Sequence, residues 1–403
     1  MAALALFRCF AVLLLTSAAA LSVAQQPPRP FTFDPAQAGV LTRGHAGFRL
    51  AALNGSLYVW REIREYETRA TSTLHGLLHL SLSHRVPDLL AAFVTATDDV
   101  QPGEQNDALP VFDFFRVTGK QWPLLWPDWD FFGWPDAYLA PFSALARQMR
   151  KEQPEWRHRA DVAFWTGSVL TDNRHLFQEC SHAKGSHMHA QGVGWKEVHN
   201  HNLSLPFAKE GLHMKPHSVD LRKYFTYRYG VFLTGNSWST SMKRIAASGV
   251  ALLLPEPNAY EDLTSLAFAG CGCTYSYNAS REAMCASLNQ TWALASADEA
   301  EAAGKAYRSR EFVERELSME KVMDYMLGTL TMVAGTQQLG ALNASTLAGA
   351  GYEEVTCAWL KARYKERLSA HIYWQVEAWM DPETCALRAE IDYLAYSAVR
   401  HAA

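Results

Sequence analysis

The sequence predicts an α/β fold, because apolar strands alternate with helices along the chain and because one pattern occurs twice in its second half. The pattern is a strand, a turn that contains glycine, and a helix start that carries a cation. Its two strands are Val162-Ala-Phe-Trp165 and Tyr229-Gly-Val-Phe-Leu-Thr234. The second copy continues through a helix that Gly249 ends and a further strand, Val250 to Leu254, which completes a βαβ crossover.

Strands and a helix are also expected in the first part of the chain. The predicted strands are Phe48-Arg-Leu, Ser56 to Trp60 and Leu89 to Thr95, and the predicted helix runs from Thr73 to Leu82. The last strand leads into Asp98-Asp99. Open α/β sheets place their sites just past strand ends, although an aspartate pair is also common in an ordinary turn there.

Four segments are expected from the composition: a leader at 1–24, an N-terminal domain at 25–155, a C-terminal domain at 156–335 and a helical tail at 336–403 that braces the domains. The stretch from Arg310 to Leu330, with apolar residues spaced along one helical face from Met319 to Leu330, indicates a packing helix near the end of the third segment. With 49% hydrophobic residues in a chain of 403, there is ample material for these cores.

The leader has one arginine before an apolar run that closes on small residues, which is typical of a cleavable signal peptide. An uncleaved anchor is the alternative, but the run from Cys9 to Ala24 is shorter than the roughly 20 residues that a spanning helix needs. We therefore expect the lumen of the endoplasmic reticulum or Golgi, with secretion or anchoring left open. A membrane is a partner only if the leader stays uncleaved.

Cysteines and glycosylation sequons fit export. Of the seven cysteines, Cys9 belongs to the leader, and the other six form an even set suited to disulfides: Cys180, Cys271, Cys273, Cys285, Cys357 and Cys385. Their pairing is left open, and structural bridging is favoured over a metal or redox pair at Cys271-Gly-Cys273. The acceptor sequons lie at Asn54, Asn202, Asn278, Asn289 and Asn343.

Charge and motifs exclude several classes of protein. The net charge of −4 and the absence of a long basic run give no reason to expect nucleic acid as a partner. The sequence has no dinucleotide-binding, Walker, zinc-protease or serine-hydrolase motif. Histidines between His175 and His217 are irregularly spaced in a polar stretch, which predicts a flexible loop rather than a metal site.

The repeated pattern carries the ingredients of a phosphate site: glycine for close approach, serine hydroxyls, and a nearby cation. Helix capping and ordinary solvated cations are the simpler explanation of the same residues. The candidates are Gly167, Ser168, Arg174, Gly235, Ser239, Ser241 and Lys243.

A stretch rich in Trp, Pro and Asp covers residues 122–141, and it is expected either to form a wall of an acceptor cleft or to pack as a connection between domains. The candidates for the acceptor side are Trp129 and Trp134 of this stretch, together with Trp238.

Seven segments occur in the order found in a known family: Asn54-Gly-Ser-Leu-Tyr58; Thr68-Arg69 before a leucine-rich helix; Pro87-Asp-Leu leading to Asp98-Asp99; Trp126-Pro-Asp-Trp-Asp-Phe-Phe-Gly-Trp-Pro135; Arg159-Ala-Asp-Val-Ala-Phe-Trp165 with Gly167 and Arg174; Gly235-Asn-Ser-Trp-Ser-Thr-Ser-Met-Lys243; and Glu311-Phe-Val-Glu-Arg-Glu-Leu with Val322 to Met326. In this order they resemble the CAP10 glycosyltransferases, in particular the plant branch of proteins similar to Rumi, the protein O-glucosyltransferase.

The resemblance implies a GT-B fold, in which two Rossmann-like domains face a cleft, and inverting transfer of glucose or xylose from a UDP-sugar to a hydroxyl of a protein or glycan. It implies Asp99, or else Asp98, as the general base and no metal or other cofactor. It also implies a leaving diphosphate held by Gly167, Ser168 and Arg174 on one side and by Gly235, Ser239, Ser241 and Lys243 on the other. Where the family tends to carry Pro-x-x-His-Tyr, this chain reads Ala269-Gly-Cys-Gly-Cys-Thr-Tyr275.

Two alternatives belong to other functional classes. A catalytically silent protein of the same fold would bind glycans without turnover, and it need not keep both an aspartate base and a phosphate cation. A secreted glycoside hydrolase would place two carboxylates about 5 to 10 Å apart across a groove and would lack a phosphate site. The repeated pattern argues against the hydrolase.

Overall fold

The structure is a computed structural model that describes residues 28, 30–33, 47–61, 68–95, 109–135, 139–169, 171–193, 221–235 and 237–388. The strands are β1 (Phe31–Thr32), β2 (Gly47–Leu53), β3 (Ser56–Arg61), β4 (Leu89–Val94), β5 (Val111–Asp113), β6 (Phe115–Val117), β7 (Leu124–Leu125), β8 (Ala160–Ser168), β9 (Met188–Val193), β10 (Tyr227–Val231), β11 (Ala251–Pro255), β12 (Tyr260–Asp262), β13 (Thr274–Tyr277), β14 (Gln337–Gln338) and β15 (Glu353–Glu354). The α-helices are α1 (Arg69–Ser83), α2 (Phe142–Glu152), α3 (Asp172–His182), α4 (Ser241–Ala247), α5 (Leu263–Phe268), α6 (Met284–Ala297), α7 (Glu299–Glu316), α8 (Met319–Ala334), α9 (Ala344–Gly349), α10 (Cys357–Arg367) and α11 (Ala370–Trp379). The predicted α/β class is confirmed.

The first sheet has six strands in the order β15-β3-β2-β4-β5-β7. Strands β2 and β3 form an antiparallel hairpin, whose turn holds Asn54 and Gly55 at φ angles of 54° and 85°, a region that asparagine and glycine adopt most readily. From β4 to β7 the pairing is parallel. The three strands predicted in this half are all present, and they belong to a mixed sheet.

The second sheet has five strands in the order β13-β11-β10-β8-β9, and every pair is parallel. Successive side chains of β8 point to opposite faces, so that Phe164 joins the core shared with the first half and Trp165 joins a separate core. Parallel sheets are stable when both faces are covered. The second predicted βαβ unit is confirmed as β10, α4 and β11, and Gly249, at φ 68°, follows the end of α4 as expected.

The order of the second sheet reverses between β8 and β10. From β8 the chain passes through α3 to the edge strand β9, whereas β10, on the other side of β8, leads on to β11 and β13. The connections at the carboxyl ends of β8 and β10 therefore run in opposite directions and leave a crevice between them. Such a switch point is where open α/β sheets bind ligands.

The C-terminal segment returns to the first half of the chain. Strand β14 pairs with β1, and β15 extends the first sheet by pairing with β3. Beside α1, the Nε2 atom of His75 lies 2.9 Å from the carbonyl oxygen of Cys385, which is joined to Cys357 by a disulfide. The predicted helix near Met319 is confirmed as α8, and it begins after a break at Leu317–Ser318. The described tail thus braces the first half.

Several contacts join the halves directly, and two of them involve strand β6. Strands β6 and β12 pair antiparallel, and Arg116 of β6 forms a salt bridge of 3.0 Å with Glu261 of β12. The ring of Trp238 stacks on Phe115 with a centroid distance of 4.4 Å. A common core contains buried residues from both sheets, so the carboxyl edge of the second sheet lies against the first half.

Candidate functional site

Gly167 and Ser168, which the sequence placed in a turn, are the last two residues of strand β8 and pair with β9, and α3 begins at Asp172. The Nη1 atom of Arg174, in the first turn of α3, donates a hydrogen bond of 2.9 Å to the carbonyl oxygen of Ser168. Its guanidinium carbon lies 5.7 Å from the centroid of the Trp165 ring. Arg174 is half-buried, and these contacts hold its positive charge at the carboxyl end of β8.

The turn after β10 approaches the same guanidinium. The backbone N–H of Gly235 donates 3.1 Å to the carbonyl oxygen of Trp238. A Cβ atom at Gly235 would lie 2.5 Å from that oxygen and 3.6 Å from Nη2 of Arg174, so the turn requires glycine. The side chain of Asn173 also donates 2.7 Å to Thr234 Oγ1. The structure thus places Gly235 of the second copy of the pattern next to Arg174 of the first.

Several hydroxyl groups line these segments. Ser239 Oγ and Ser241 Oγ lie 2.9 Å apart. The hydroxyls of Ser168 and Ser237 are inaccessible to solvent and have no hydrogen-bond partner among the residues that the structure describes. Buried polar atoms are nearly always hydrogen-bonded, so the hydroxyls of Ser168, at the end of β8, and of Ser237, in the turn after β10, are expected to have partners outside the described residues.

Tyr224 lies beneath the switch point, and sequence reasoning missed it. Its hydroxyl oxygen accepts from the Thr166 N–H at 3.4 Å. Burial raises the pKa of Tyr224, while the Thr166 N–H and the nearby charges of Arg244 and Arg174 oppose the rise. The phenol therefore stays protonated next to both guanidiniums. It precedes β10 in a short 3-10 helix, Leu221–Thr226, and no spacing in the sequence marks it as a site residue.

Lys243 occupies a different environment from Arg174. Its ammonium group is 0% exposed and lies 2.7 Å from an Asp128 carboxylate oxygen and 3.3 Å from Asp130. Arg244 is 3.0 Å from Asp130. We call these four side chains the ion-pair layer; it carries two charges of each sign and joins α4 to the first half. The contribution of Lys243 to phosphate binding stays a prediction.

Burial raises the pKa of Asp128 to about 6, and the adjacent Lys243 opposes this rise. Even so, the carboxylate is ionised at neutral pH, as its two contacts with the ammonium require. The sequence held a signal for this layer, because carboxylates within an aromatic stretch must find cations once they are buried.

The tryptophan-rich stretch packs between the halves. Trp129 and Trp238 are 2% and 8% exposed and meet edge to face at 5.6 Å. The guanidinium of Arg69 lies 4.1 Å above the Trp129 ring. Trp134 is half-buried against Trp129 at 5.5 Å. These contacts fit the packed connection that was the alternative expectation, and an acceptor-facing role for the three rings stays a prediction.

Other predicted features lie outside the described residues. Strand β4 ends at Val94, and Asp98, Asp99, the leader and the histidines from His199 to His217 lie outside the described residues and stay predictions. The flexible loop predicted for the earlier histidines was wrong, because His175 and His182 lie in α3 and His189 lies in β9. Within the described ranges, no helix combines the length and apolarity needed to cross a membrane. The same ranges contain no group of three His, Cys, Asp or Glu side chains suited to a metal ion.

A parallel sheet whose switch point carries a cation and a glycine turn is an arrangement at which α/β proteins commonly bind phosphate groups. The sequence model of glycosyl transferase family 90 matches residues 29–387, which is most of the chain. The chain therefore belongs to glycosyl transferase family 90, the CAP10-like family, and the resemblance seen in the sequence is confirmed. Glycosyl transfer is accordingly its class of reaction. Comparison with individual curated proteins gives no match.

Proposed function

We propose that this protein transfers glucose or xylose from a UDP-sugar to a hydroxyl of a protein or glycan, with inversion at the sugar carbon. The observation that carries the proposal is the position of Arg174, whose guanidinium lies between Ser168, at the end of β8, and the turn at Gly235. Family membership supplies the reaction class, and the switch point supplies a place for the donor. The GT-B arrangement, in which the two halves face a cleft, is part of the proposal.

Arg174 is the group that we assign to the leaving diphosphate. A guanidinium offers several N–H donors in a plane and forms paired hydrogen bonds with phosphate oxygens. Charge that develops on the leaving group is stabilised when such a donor is already held in place. The bond from Arg174 to Ser168 holds the side chain before any donor arrives.

Serine hydroxyls complete the proposed donor site. Ser168 and Ser237 have buried hydroxyls without partners in the described part of the chain, and Ser239 and Ser241 bond mainly to each other. Each can donate to a phosphate oxygen. Lys243 is already neutralised by Asp128, so we assign it to positioning α4 and the turn that precedes it.

The base is proposed to be Asp99, with Asp98 as the alternative. Both follow β4 and lie outside the described residues, so the proposal rests on the family resemblance and on the general need for a base that takes the proton of the accepting hydroxyl. Comparison of Asp99→Asn with Asp98→Asn in a transfer assay would identify which aspartate is required. We expect activity to persist after treatment with EDTA, because Arg174 supplies the charge at the diphosphate.

The donor site can be tested by titration calorimetry of the purified protein with UDP. We expect Arg174→Ala to weaken binding by about 10- to 100-fold, since a hydrogen bond to a charged group contributes about 1.5–3 kcal/mol. Arg157→Ala is the matched control, because Arg157 is an exposed arginine whose ion-pair partner among the described residues is Glu155. It should bind UDP like the wild type.

Two results would overturn the donor site: equal UDP affinity in the wild type and Arg174→Ala, or no UDP binding by the folded wild-type protein. UDP binding without transfer from either UDP-glucose or UDP-xylose would instead support a catalytically silent relative.

We place the protein in the secretory lumen, where the three disulfides that join the six cysteines after the leader would persist: Cys180–Cys285, Cys271–Cys273 and Cys357–Cys385.

A further inference from the structure

Four of the five glycosylation sequons lie in the described part of the chain, and the fold presents them differently. A sequon offers two groups for recognition, the side-chain amide of the asparagine and the hydroxyl two residues later. Both side chains are exposed in the pair Asn278 and Ser280 and in the pair Asn343 and Ser345. Exposure of both groups is therefore a structural criterion for a sequon that can be used.

Asn278 follows the end of β13. Its Oδ1 atom accepts a hydrogen bond of 2.9 Å from the Ser280 N–H, and its own backbone N–H donates 2.8 Å to the Ser287 hydroxyl. A glycan attached to Nδ2 leaves the carbonyl oxygen of the amide able to accept the same bond. The turn that the structure shows is therefore compatible with a glycan at Asn278.

Asn343 uses its side chain in the same way. It precedes α9, and its Oδ1 atom accepts 2.9 Å from the Thr346 N–H and 2.6 Å from the Ser345 hydroxyl. These bonds use only the oxygen of the amide. A glycan on Nδ2 of Asn343 would leave them in place, and its bulk would extend from an exposed side chain into solvent.

The sequon at Asn289 is presented in the opposite way. Asn289 lies within α6 and is half-buried, and Thr291 is 7% exposed. The Thr291 hydroxyl donates 3.0 Å to the Ser276 carbonyl oxygen. Neighbours of Asn289 on the same helix face, Cys285 and Trp292, pack against the second core. The fold therefore withholds the hydroxyl of this sequon and leaves little room at its asparagine.

The remaining two sequons do not meet the criterion on the described residues. Asn54 is exposed in the turn between β2 and β3, but Ser56 is half-buried as the first residue of β3. Asn202 lies outside the described residues. Among the described sequons, Asn278 and Asn343 are thus the two that expose both groups.

We propose that Asn278 and Asn343 carry N-linked glycans and that Asn289 stays unmodified. The proposal rests on the placement of the protein in the secretory lumen, and the co-substrate is a lipid-linked oligosaccharide diphosphate with the enzyme that transfers it. The asparagine Nδ2 forms a bond to the anomeric carbon of the oligosaccharide. The bond from that carbon to the diphosphate oxygen breaks with its electron pair on the oxygen, and Nδ2 loses one proton through the enzyme to solvent.

The test is translation of the full chain in the presence of endoplasmic reticulum microsomes. Protease protection reports entry into the lumen, and each glycan adds one step of gel mobility that an endoglycosidase removes. We expect Ser280→Ala and Ser345→Ala each to lose one step, whereas Ser280→Thr and Ser345→Thr keep it. Alanine removes the hydroxyl and leaves the asparagine and the backbone N–H that orients it in place.

Asn289→Gln is the matched control and should leave the number of steps unchanged. In a protected chain, a step retained in either alanine variant would overturn the corresponding site, and a step lost in Asn289→Gln would overturn the criterion. An unprotected chain would overturn the secretory placement and the glycans with it. UDP binding is measured separately, so a failure of the glycan sites is distinguishable from a failure of the donor site.

Discussion

Arg174 and Lys243 occupy equivalent places in two copies of one sequence pattern, yet the structure surrounds them differently. Arg174 is half-buried at the switch point, near Ser168 and Ser237, whose hydroxyls have no hydrogen-bond partner among the described residues. Lys243 is fully buried, and its ammonium is held between Asp128 and Asp130. A cation after a glycine turn can therefore serve binding or packing, and its partners decide which.

The difference between the two cations gives a criterion for separating a role in ligand binding from a role in packing. A buried polar group whose partners all belong to the protein contributes to stability, and its loss leaves the partners uncompensated. A polar group at a switch point can bind a ligand when the buried hydroxyls beside it have no hydrogen-bond partner among the described residues. By this criterion His75, bonded to Cys385 and Tyr364, belongs with Lys243.

The largest effect is expected for Lys243→Met. This variant leaves Asp128 and Asp130 buried with only Arg244 nearby, and breaking a buried pair costs about 3–5 kcal/mol. Arg174→Met, the matched variant in the first copy of the pattern, should lower the unfolding free energy by less than about 1 kcal/mol. Urea denaturation of both variants measures the difference. The comparison fails if the two variants lose similar stability.

A smaller effect, which depends on pH, is expected from His75. Burial lowers the pKa of His75 to about 4 from its ordinary 6.5. The carbonyl of Cys385 can only accept, so Nε2 carries the proton and Nδ1 accepts from the Tyr364 hydroxyl. The unfolded chain binds a proton below pH 6.5 and the folded chain does not. This histidine should therefore remove about 2 kcal/mol of stability between pH 7 and pH 5.

The measurement is urea denaturation of the wild type and His75→Gln at pH 7 and pH 5. The wild type should lose about 2 kcal/mol more than the variant on acidification, and the loss from His75 should level off below its folded pKa, near pH 4. If the wild type and the variant lose the same free energy of unfolding between pH 7 and pH 5, then His75 is protonated in the folded chain at pH 5. Its hydrogen bonds to Cys385 and Tyr364 would then not keep it neutral.

The smallest effect is expected at Gly235. A Cβ at this position would lie 2.5 Å from the Trp238 carbonyl oxygen, so Gly235→Ala should displace the turn at a cost of about 1–2 kcal/mol and weaken UDP binding. Gly328→Ala is the control, since nothing lies within 4 Å of a Cβ there and alanine favours the interior of α8 by about 0.5–1 kcal/mol. Thermal denaturation with and without UDP measures both effects. If Gly235→Ala leaves both stability and UDP affinity unchanged, the close approach of residue 235 to the Trp238 carbonyl oxygen is contradicted.

Much of the fold could be predicted from the sequence because its signals are local. The apolar run that forms β8 and the glycine that follows α4 were identified from their own segments. The pairing of β15 with β3 was not, since two-residue strands carry no periodicity and depend on contacts across the fold. The mixed pairing of the first sheet likewise depends on register between distant strands.

The candidate site was predictable in part for the same reason. Gly167 and Ser168 at the end of β8, Arg174 in the first turn of α3 and Gly235 after β10 lie in segments that the sequence marks, and the sheet order then brings these segments together. Tyr224 was missed because its hydroxyl reaches Thr166 only in the folded chain. Nor could spacing show that Lys243 pairs with Asp128, which lies 115 residues away in the sequence.

The most direct test of the central claim is a crystal structure of the protein with UDP bound. We expect the diphosphate in the crevice between β8 and β10, with its oxygens about 2.7–2.9 Å from the Arg174 guanidinium and the Lys243–Asp128 pair intact. UDP bound elsewhere, or a diphosphate held by Lys243 with that pair broken, would contradict the account.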